Sequence, residues 1–302
     1  MWRAGVASDR GLQRSVNEDR AFADETHGVF LVADGLGGHA AGETAAETAV
    51  QVVQERLAAF DGEGDLEHKV REAISAANNE IYQLAQEHAE CNGMACVLTM
   101  AVARDDRVIV GHVGDSRLYL AWNGELRKIT SDHSPVGEKE DHHELTEEEA
   151  MHHPRRNEVY RDVGSQIRSA DDPDFVETKS FLFRPDAALL LCSDGLSDSL
   201  TSAQISSIVE SYDGDPDAVA QQLVEAANRA GGKDNVSVVF VPGPEFVGRM
   251  AANATAARQR HAVTRVRTGG RRWRSIFKDA CLVLIGIILG IVLCIGIQRF
   301  WR

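Results

Sequence analysis

The 302-residue chain is 43% hydrophobic, enough for one large core or two small ones, and its formal net charge is −14. Residues 251–302 hold ten Lys/Arg against the single acid Asp279, which is +9 and leaves −23 on the first 250 residues. So acidic a domain is a poor partner for nucleic acid, and five cysteines without C-x-x-C spacing argue against a disulfide scaffold and for a reducing compartment. Met1-Trp2-Arg3-Ala4 runs straight into a polar stretch, so no signal peptide is expected.

Residues 1–20 are polar and show little helical or strand periodicity. Within them Arg14 is followed closely by Glu18 and Asp19. Arginine suits a bidentate grip on phosphate, although a solvated loop explains such a segment equally well. The apolar run Val29 to Ala33 predicts one buried strand that ends on Asp34, followed by the glycine cluster Gly35, Gly37 and Gly38. Glu43 to Phe60 and Leu66 to about His88 repeat apolar residues at helical spacing, with a break at Asp61-Gly62-Glu63-Gly64. The period then shortens, and Met94 to Ala103, Arg107 to Val113 and Arg117 to Trp122 predict a strand meander. Asn123-Gly124 is a strong hairpin signal.

Residues 131–170 are polar and rich in histidine, and predict a surface flap with one short helix opened by the capping box Thr146–Glu149 and ended by Pro154. His142, His143, His152 and His153 come as adjacent pairs, a spacing that favours solvated side chains over a zinc site. A second apolar run, Leu189 to Cys192, is followed by Ser193-Asp194-Gly195. Helices are predicted over Thr201 to Glu210, by a capping box, and from Asp215-Pro216 to Arg229, by an N-cap and a proline in the first turn. Asp234 then stands at the start of the strand Val236 to Val241, and Pro242 and Pro244 close the predicted domain.

Asp-Gly is a common turn dipeptide, and either Asp34-Gly35 or Asp194-Gly195 alone reads as a turn. Two buried strands that both deliver a carboxylate, with a third acid beside another strand, instead point to an oxygen-rich corner for hard cations. Ala280 to Ile297 is an 18-residue run without charge, which meets the length needed to span a membrane. Eight basic residues precede it and two follow, so the positive-inside rule places its N-terminal side in the cytoplasm.

The motifs together resemble the metal-dependent protein serine/threonine phosphatases of the PPM, or type 2C, family in their bacterial form. The resemblance rests on Ser8-Asp9 to Asn17-Glu18-Asp19, Val32-Ala33-Asp34-Gly35-Leu36-Gly37-Gly38-His39, Gly114-Asp115-Ser116-Arg117, Ser131-Asp132-His133-Ser134, His153-Pro154-Arg155-Arg156-Asn157, Cys192-Ser193-Asp194-Gly195-Leu196-Ser197-Asp198 and Gly232-Lys233-Asp234-Asn235. These occur in the family's order across roughly residues 3–242. It implies an α+β fold, a four-layer α/β/β/α sandwich of two packed antiparallel sheets flanked by helices.

The resemblance also implies residue roles. Asp34 would bridge two Mn2+ or Mg2+ ions, with the Gly35 carbonyl on one and Asp194 with Asp234 on the other. Glu18 and Asp19 would act through water held by the ions. Arg14 would clamp the substrate phosphate. Asp115, with Asp194, would hold a weaker third ion, approached from the flap by Asn157. His39 is a candidate proton donor to the leaving hydroxyl. The expected substrates are phosphorylated proteins, and the expected counterparts are bacterial Ser/Thr kinases. The expected organisation is a phosphatase domain over 1–244, a basic linker over 245–275, a membrane helix over 276–298 and a tail over 299–302. That places the protein at the inner membrane as a single-pass protein with its catalytic domain in the cytoplasm. A pseudophosphatase scaffold is the alternative, and the presence of Asp34, Asp115, Asp194 and Asp234 argues against it. A third reading, a phosphatase for anti-sigma-factor antagonists, lacks the sensory domain such proteins usually carry. The chain departs from the family at Gly93-Met94-Ala95-Cys96, where a Gly-Thr-Thr stretch is usual, and altered packing near the site is expected there.

Overall fold

The computed structural model describes residues 2–37, 40–60 and 64–250, all within the unit Met1–Ala251. In chain order its elements are the strands Gly5–Asp9 (β1), Arg20–Asp24 (β2) and Val29–Leu36 (β3), then the helices Ala40–Ala58 (α1) and Leu66–Glu87 (α2). The strands Ala95–Arg104 (β4), Arg107–Val113 (β5), Arg117–Trp122 (β6) and Glu125–Lys128 (β7) follow. After them come the short helices Pro135–Asp141 (α3) and Glu147–Met151 (α4), and the strands Glu177–Leu182 (β8) and Ala187–Cys192 (β9). The helices Asp194–Ser197 (α5), Ser202–Val209 (α6) and Pro216–Arg229 (α7) and the strand Val236–Pro242 (β10) complete the domain.

The strands form two five-stranded antiparallel sheets, ordered β1-β10-β9-β6-β7 and β2-β3-β4-β5-β8. Their inner faces share one core that includes Phe30, Val32, Leu118, Leu189, Leu191, Val239 and Val241. The outer face of the β3 sheet, with Leu31 and Ala33, packs against α1 and α2. The outer face of the β9 sheet, with Leu190, Cys192, Val238 and Phe240, packs against α6 and α7. Successive strand residues point to opposite faces, so a strand covered on both sides must be apolar at every position. That is why β3, β9 and β10 read as unbroken apolar runs. The four-layer α/β/β/α sandwich is therefore as expected.

The helix α2 matches its predicted span and α1 overlaps its own, beginning three residues before Glu43 and ending at Ala58 rather than Phe60. The helices α6 and α7 start at the predicted caps: Thr201 forms a complete capping box with Gln204, and Asp215 accepts from Asp217 N–H. Thr146 and Glu149 likewise cap α4 reciprocally, although that helix stops at Met151, before Pro154. Asn123 and Gly124 both have positive φ and turn β6 into β7. The segment read as unstructured at residues 1–20 contains β1, which pairs with β10 from Gly5↔Phe240 to Asp9↔Val236. The strands β2 and β8 and the helix α3 were also not predicted.

Phe246 is buried against Tyr212 and Phe240, so packing continues past Pro244. Cys91, Cys96 and Cys192 are free thiols. No helix among the described residues is long and apolar enough to cross a membrane. The predicted span over 276–298, most of the linker and the tail lie outside the described residues, as does His39.

Candidate metal centre

The strand β3 does not stop at Asp34. Backbone pairing with β4 carries it on through Asp34↔Val97, Gly35↔Cys96 and Leu36↔Ala95, so Asp34 is held inside the sheet. Gly35 is required by close approach: a β-carbon there would stand 2.2 Å from Gly42 O and 2.8 Å from Glu18 O. Asp194 is the first residue of α5, immediately after β9 and Ser193. Asp115 lies in the turn between β5 and β6, Asp19 just before β2, and Asp234 just before β10. Five carboxylates from five places in the chain thus meet at one end of the sandwich.

Their electrostatics show the crowding. Burial, then the charges of Asp19, Asp194, Asp115 and Asp234, hold the Asp34 carboxyl far above the usual carboxylate range. Burial, Asp194 and Asp132 do the same to Asp115, against the opposing pull of Arg117. Asp194 is pushed up to about 6 by burial and Asp234, although Arg156, Asp34 and Arg14 pull the other way. Asp19 is pushed up to about 7 by burial, and the hydroxyls of Ser193 and Ser237 oppose the rise. Asp34, Asp115, Asp194 and Asp234 are half-buried as whole residues, whereas Asp19 is 1% exposed.

A web of short polar contacts fixes these groups. Ser193 Oγ donates to Asp19 Oδ2 at 2.7 Å and accepts from Ser237 N–H at 2.9 Å. Asn235 ties the Arg14 loop to β10: its Oδ1 accepts Glu18 N–H at 2.8 Å, and its Nδ2 donates to Arg10 O and Val16 O, both at 2.9 Å. Gly232 O accepts the N–H groups of Leu12 and Gln13. Arg14 Nη2 then donates to Asp234 Oδ2 at 2.7 Å, at the mouth of the cleft.

On the other side the cleft is walled by residues of the segment 131–163, within the flap predicted over 131–170. Asn157 is exposed and does not line the cleft; its neighbour Arg156 does, and makes an ion pair with Asp198. Both residues lie in the matched motifs, but one sequence does not show which flap side chain turns inward. Beneath them Arg117 grips Asp132 through Nη2 at 2.7 Å and Nε at 3.1 Å, and reaches Glu140 Oε2 on α3 at 2.7 Å. Burial would raise Asp132, but Arg117 and Lys128 hold it below the usual carboxylate range. This buried network had no role assigned from sequence, and it anchors the start of the segment beside Gly114-Asp115.

His142 and His152 are exposed and join no metal-competent group among the described residues. One trio, His112, His133 and Glu177, has ligand atoms within 4.8 Å of one another, but it is already hydrogen-bonded: Thr99 and Ser131 O engage His112, and Gly114 N–H donates to His133 Nδ1.

The carboxylate corner fits divalent cations. Asp19 Oδ1 is buried without a hydrogen-bond partner among the described residues, and the acids outnumber Arg14 and Arg156. Buried like charges persist where a cation offsets them, and an all-oxygen donor set selects hard ions.

The chain matches the family described as Protein phosphatase 2C over residues 12–229. It is 35% identical over 247 residues to the serine/threonine phosphatase stp of Listeria monocytogenes, covering 79% of this chain and 94% of that protein. It is 37% identical over 247 residues to the serine/threonine protein phosphatase PstP of Mycobacterium tuberculosis, covering 78% of this chain and 44% of that protein. The crystal structure of M. tuberculosis PstP/Ppp superposes with a TM-score of 0.71 at 34% identity, over 80% of this chain and 98% of that one. A structure of the PstP catalytic domain in complex with two manganese ions gives 0.70 at 33% identity, over 80% and 97%. The family match over residues 12–229, the identity to named phosphatases along most of the domain and the shared fold show that the chain belongs to the protein phosphatase 2C family of metal-dependent serine/threonine phosphatases.

Proposed function

We propose that the cleft hydrolyses phosphoserine and phosphothreonine in proteins with two Mn2+ or Mg2+ ions held around Asp34. Asp34 and the Gly35 backbone would serve one ion, and Asp194 with Asp234 the other. Glu18 and Asp19 would hold water around the pair, and Asp115 with Asp194 would take a weaker third ion. When bound, the cations supply the positive charge that acidifies a water and polarises the phosphoryl group. Arg14, at the mouth beside Asp234, is placed to grip the phosphoryl oxygens and to swing from carboxylate to substrate. The Ser193–Asp19 contact holds one acid in place through each turnover. The observation that carries the reading is the gathering of Asp19, Asp115, Asp194 and Asp234 around Asp34.

Incubation with a phosphothreonine peptide and Mn2+ is expected to release phosphate, and EDTA or Asp34→Asn to abolish the release. No release at saturating Mn2+ would overturn the assignment.

Two further parts of the proposal concern the cell. The enzyme would counteract bacterial Ser/Thr kinases, because its products are their substrates. The uncharged run 280–297 and its basic flank support a single inner-membrane span with the domain in the cytoplasm. The full chain would then pellet with membranes, and residues 1–250 would not; equal behaviour would sink the anchor.

A further inference from the structure

The segment 131–163 hangs from the domain at two ends, and they are held differently. At its leading end His133 N–H donates to Gly114 O at 2.7 Å, and Gly114 N–H returns a bond to His133 Nδ1 at 3.0 Å. Tyr160 N–H donates to His133 O at 3.0 Å and closes the segment on itself. At its trailing end Val163 exchanges both backbone hydrogen bonds with Cys96, the residue that also pairs with Gly35 across β3 and β4.

After the isolated Cys96–Val163 bridge no ladder continues over residues 164–168, and two side chains of α2 take its place. Asn78 Oδ1 accepts Gly164 N–H at 2.8 Å, and Asn78 Nδ2 donates to Gln166 O at 2.7 Å. Asn79 Oδ1 accepts Arg168 N–H, and Asn79 Nδ2 donates to Arg168 O, both at 2.9 Å. Asn78 Nδ2 also reaches Asn79 Oδ1 at 2.9 Å and locks the pair together. Asn78 is fully buried, in the middle of a helix, where asparagine is a poor helix former and an unbonded amide would be costly. Gly164 is pressed onto the same face of α2. It has φ +124°, and a β-carbon there would stand 2.4 Å from Ile81 Cγ2, one helical turn on from Asn78.

We propose that Asn78 and Asn79 are positioning residues for protein substrates: they fix the trailing end of segment 131–163 and so set how that wall stands over the cleft. This rests on the phosphatase reading. Neither asparagine lines the cleft, so each acts through the segment that delivers Arg156 to Asp198. A small aryl phosphate needs only the carboxylate corner and Arg14. A phosphoprotein must also fit between that corner and the wall. The clamp therefore separates the two kinds of substrate.

The test compares Asn79→Ala with the unaltered full chain, using p-nitrophenyl phosphate and a phosphothreonine-bearing protein, both with Mn2+. Asn79 is half-buried, so the alanine variant is expected to fold. Its KM for the phosphoprotein should rise about tenfold, the worth of one or two hydrogen bonds, while turnover of the aryl phosphate stays within about twofold. Deuterium exchange should quicken at Gly164 and Arg168 and stay slow in β3. Gly164→Ala, which pushes the same stretch off α2 without altering either asparagine, should give the same split. A folded Asn79→Ala that handles both substrates as the unaltered chain does, or loses both in parallel, would overturn the proposal. An unaltered chain that hydrolyses neither substrate overturns instead the phosphatase reading beneath it.

Discussion

Alongside Asp34 and Asp115, and against the buried His112, which burial pushes down to about 3, the pH dependence of this domain rests on Asp19 and Asp194. Their folded values, about 7 and about 6, lie above the ordinary carboxylate value, so the folded protein retains protons that the unfolded chain has released. The stability they confer is fully present below about pH 4 and is lost as pH rises through about 6 and 7. Metal-free protein should therefore melt higher at pH 5 than at pH 8, by calorimetry or circular dichroism. Mn2+ should restore the melting temperature at pH 8, since an ion that binds only the folded state stabilises it. A metal-free protein that gains stability between pH 5 and 8 would contradict the crowding described above. The acids themselves were legible in the sequence because each stands in a short motif beside a strand. The pairing of Arg156 with Asp198, both inside matched motifs, and the Asn78–Asn79 clamp were not, because their partners are fixed only by long-range packing.

Elements show the same division. The central strands β3, β4, β9 and β10 are covered on both faces, and their apolar runs announce them. The three unpredicted strands, β1, β2 and β8, all stand at sheet edges. An edge strand has one ladder partner and a half-solvated face, so its residues stay mixed: every residue of β2 is half-buried, and β8 reads Glu-Thr-Lys-Ser-Phe-Leu. The helix α3 was hidden in the polar flap although Ser134 caps it and Pro135 opens it. It is bound to the sheet by Arg117, which bridges Asp132 and Glu140 at 10% side-chain exposure. Arg117→Ala leaves the buried Asp132 with only Lys128 at 3.4 Å and the half-buried Glu140 without its arginine, and should cost about 3 kcal/mol in urea unfolding. A loss below about 1 kcal/mol would show the network to be no more than a surface pair.

Across the whole molecule, the first and last strands of the domain are neighbours: β1 lies against β10, with Gly5 opposite Phe240. The cleft inherits that arrangement, since it draws on Arg14 near one end of the domain and Asp234 near the other. A ribosome therefore releases nearly the entire domain before the β1 edge of its sheet, or the cleft, can close. Synthesis at roughly 5–20 residues per second leaves the apolar β3 and β4 waiting for seconds without the other sheet to cover them. Loop closure over such a separation makes folding slow, whatever the final stability. The catalytic corner thus closes only once Asp234, near the end of the domain, has been made, and any shorter nascent fragment lacks one of its acids.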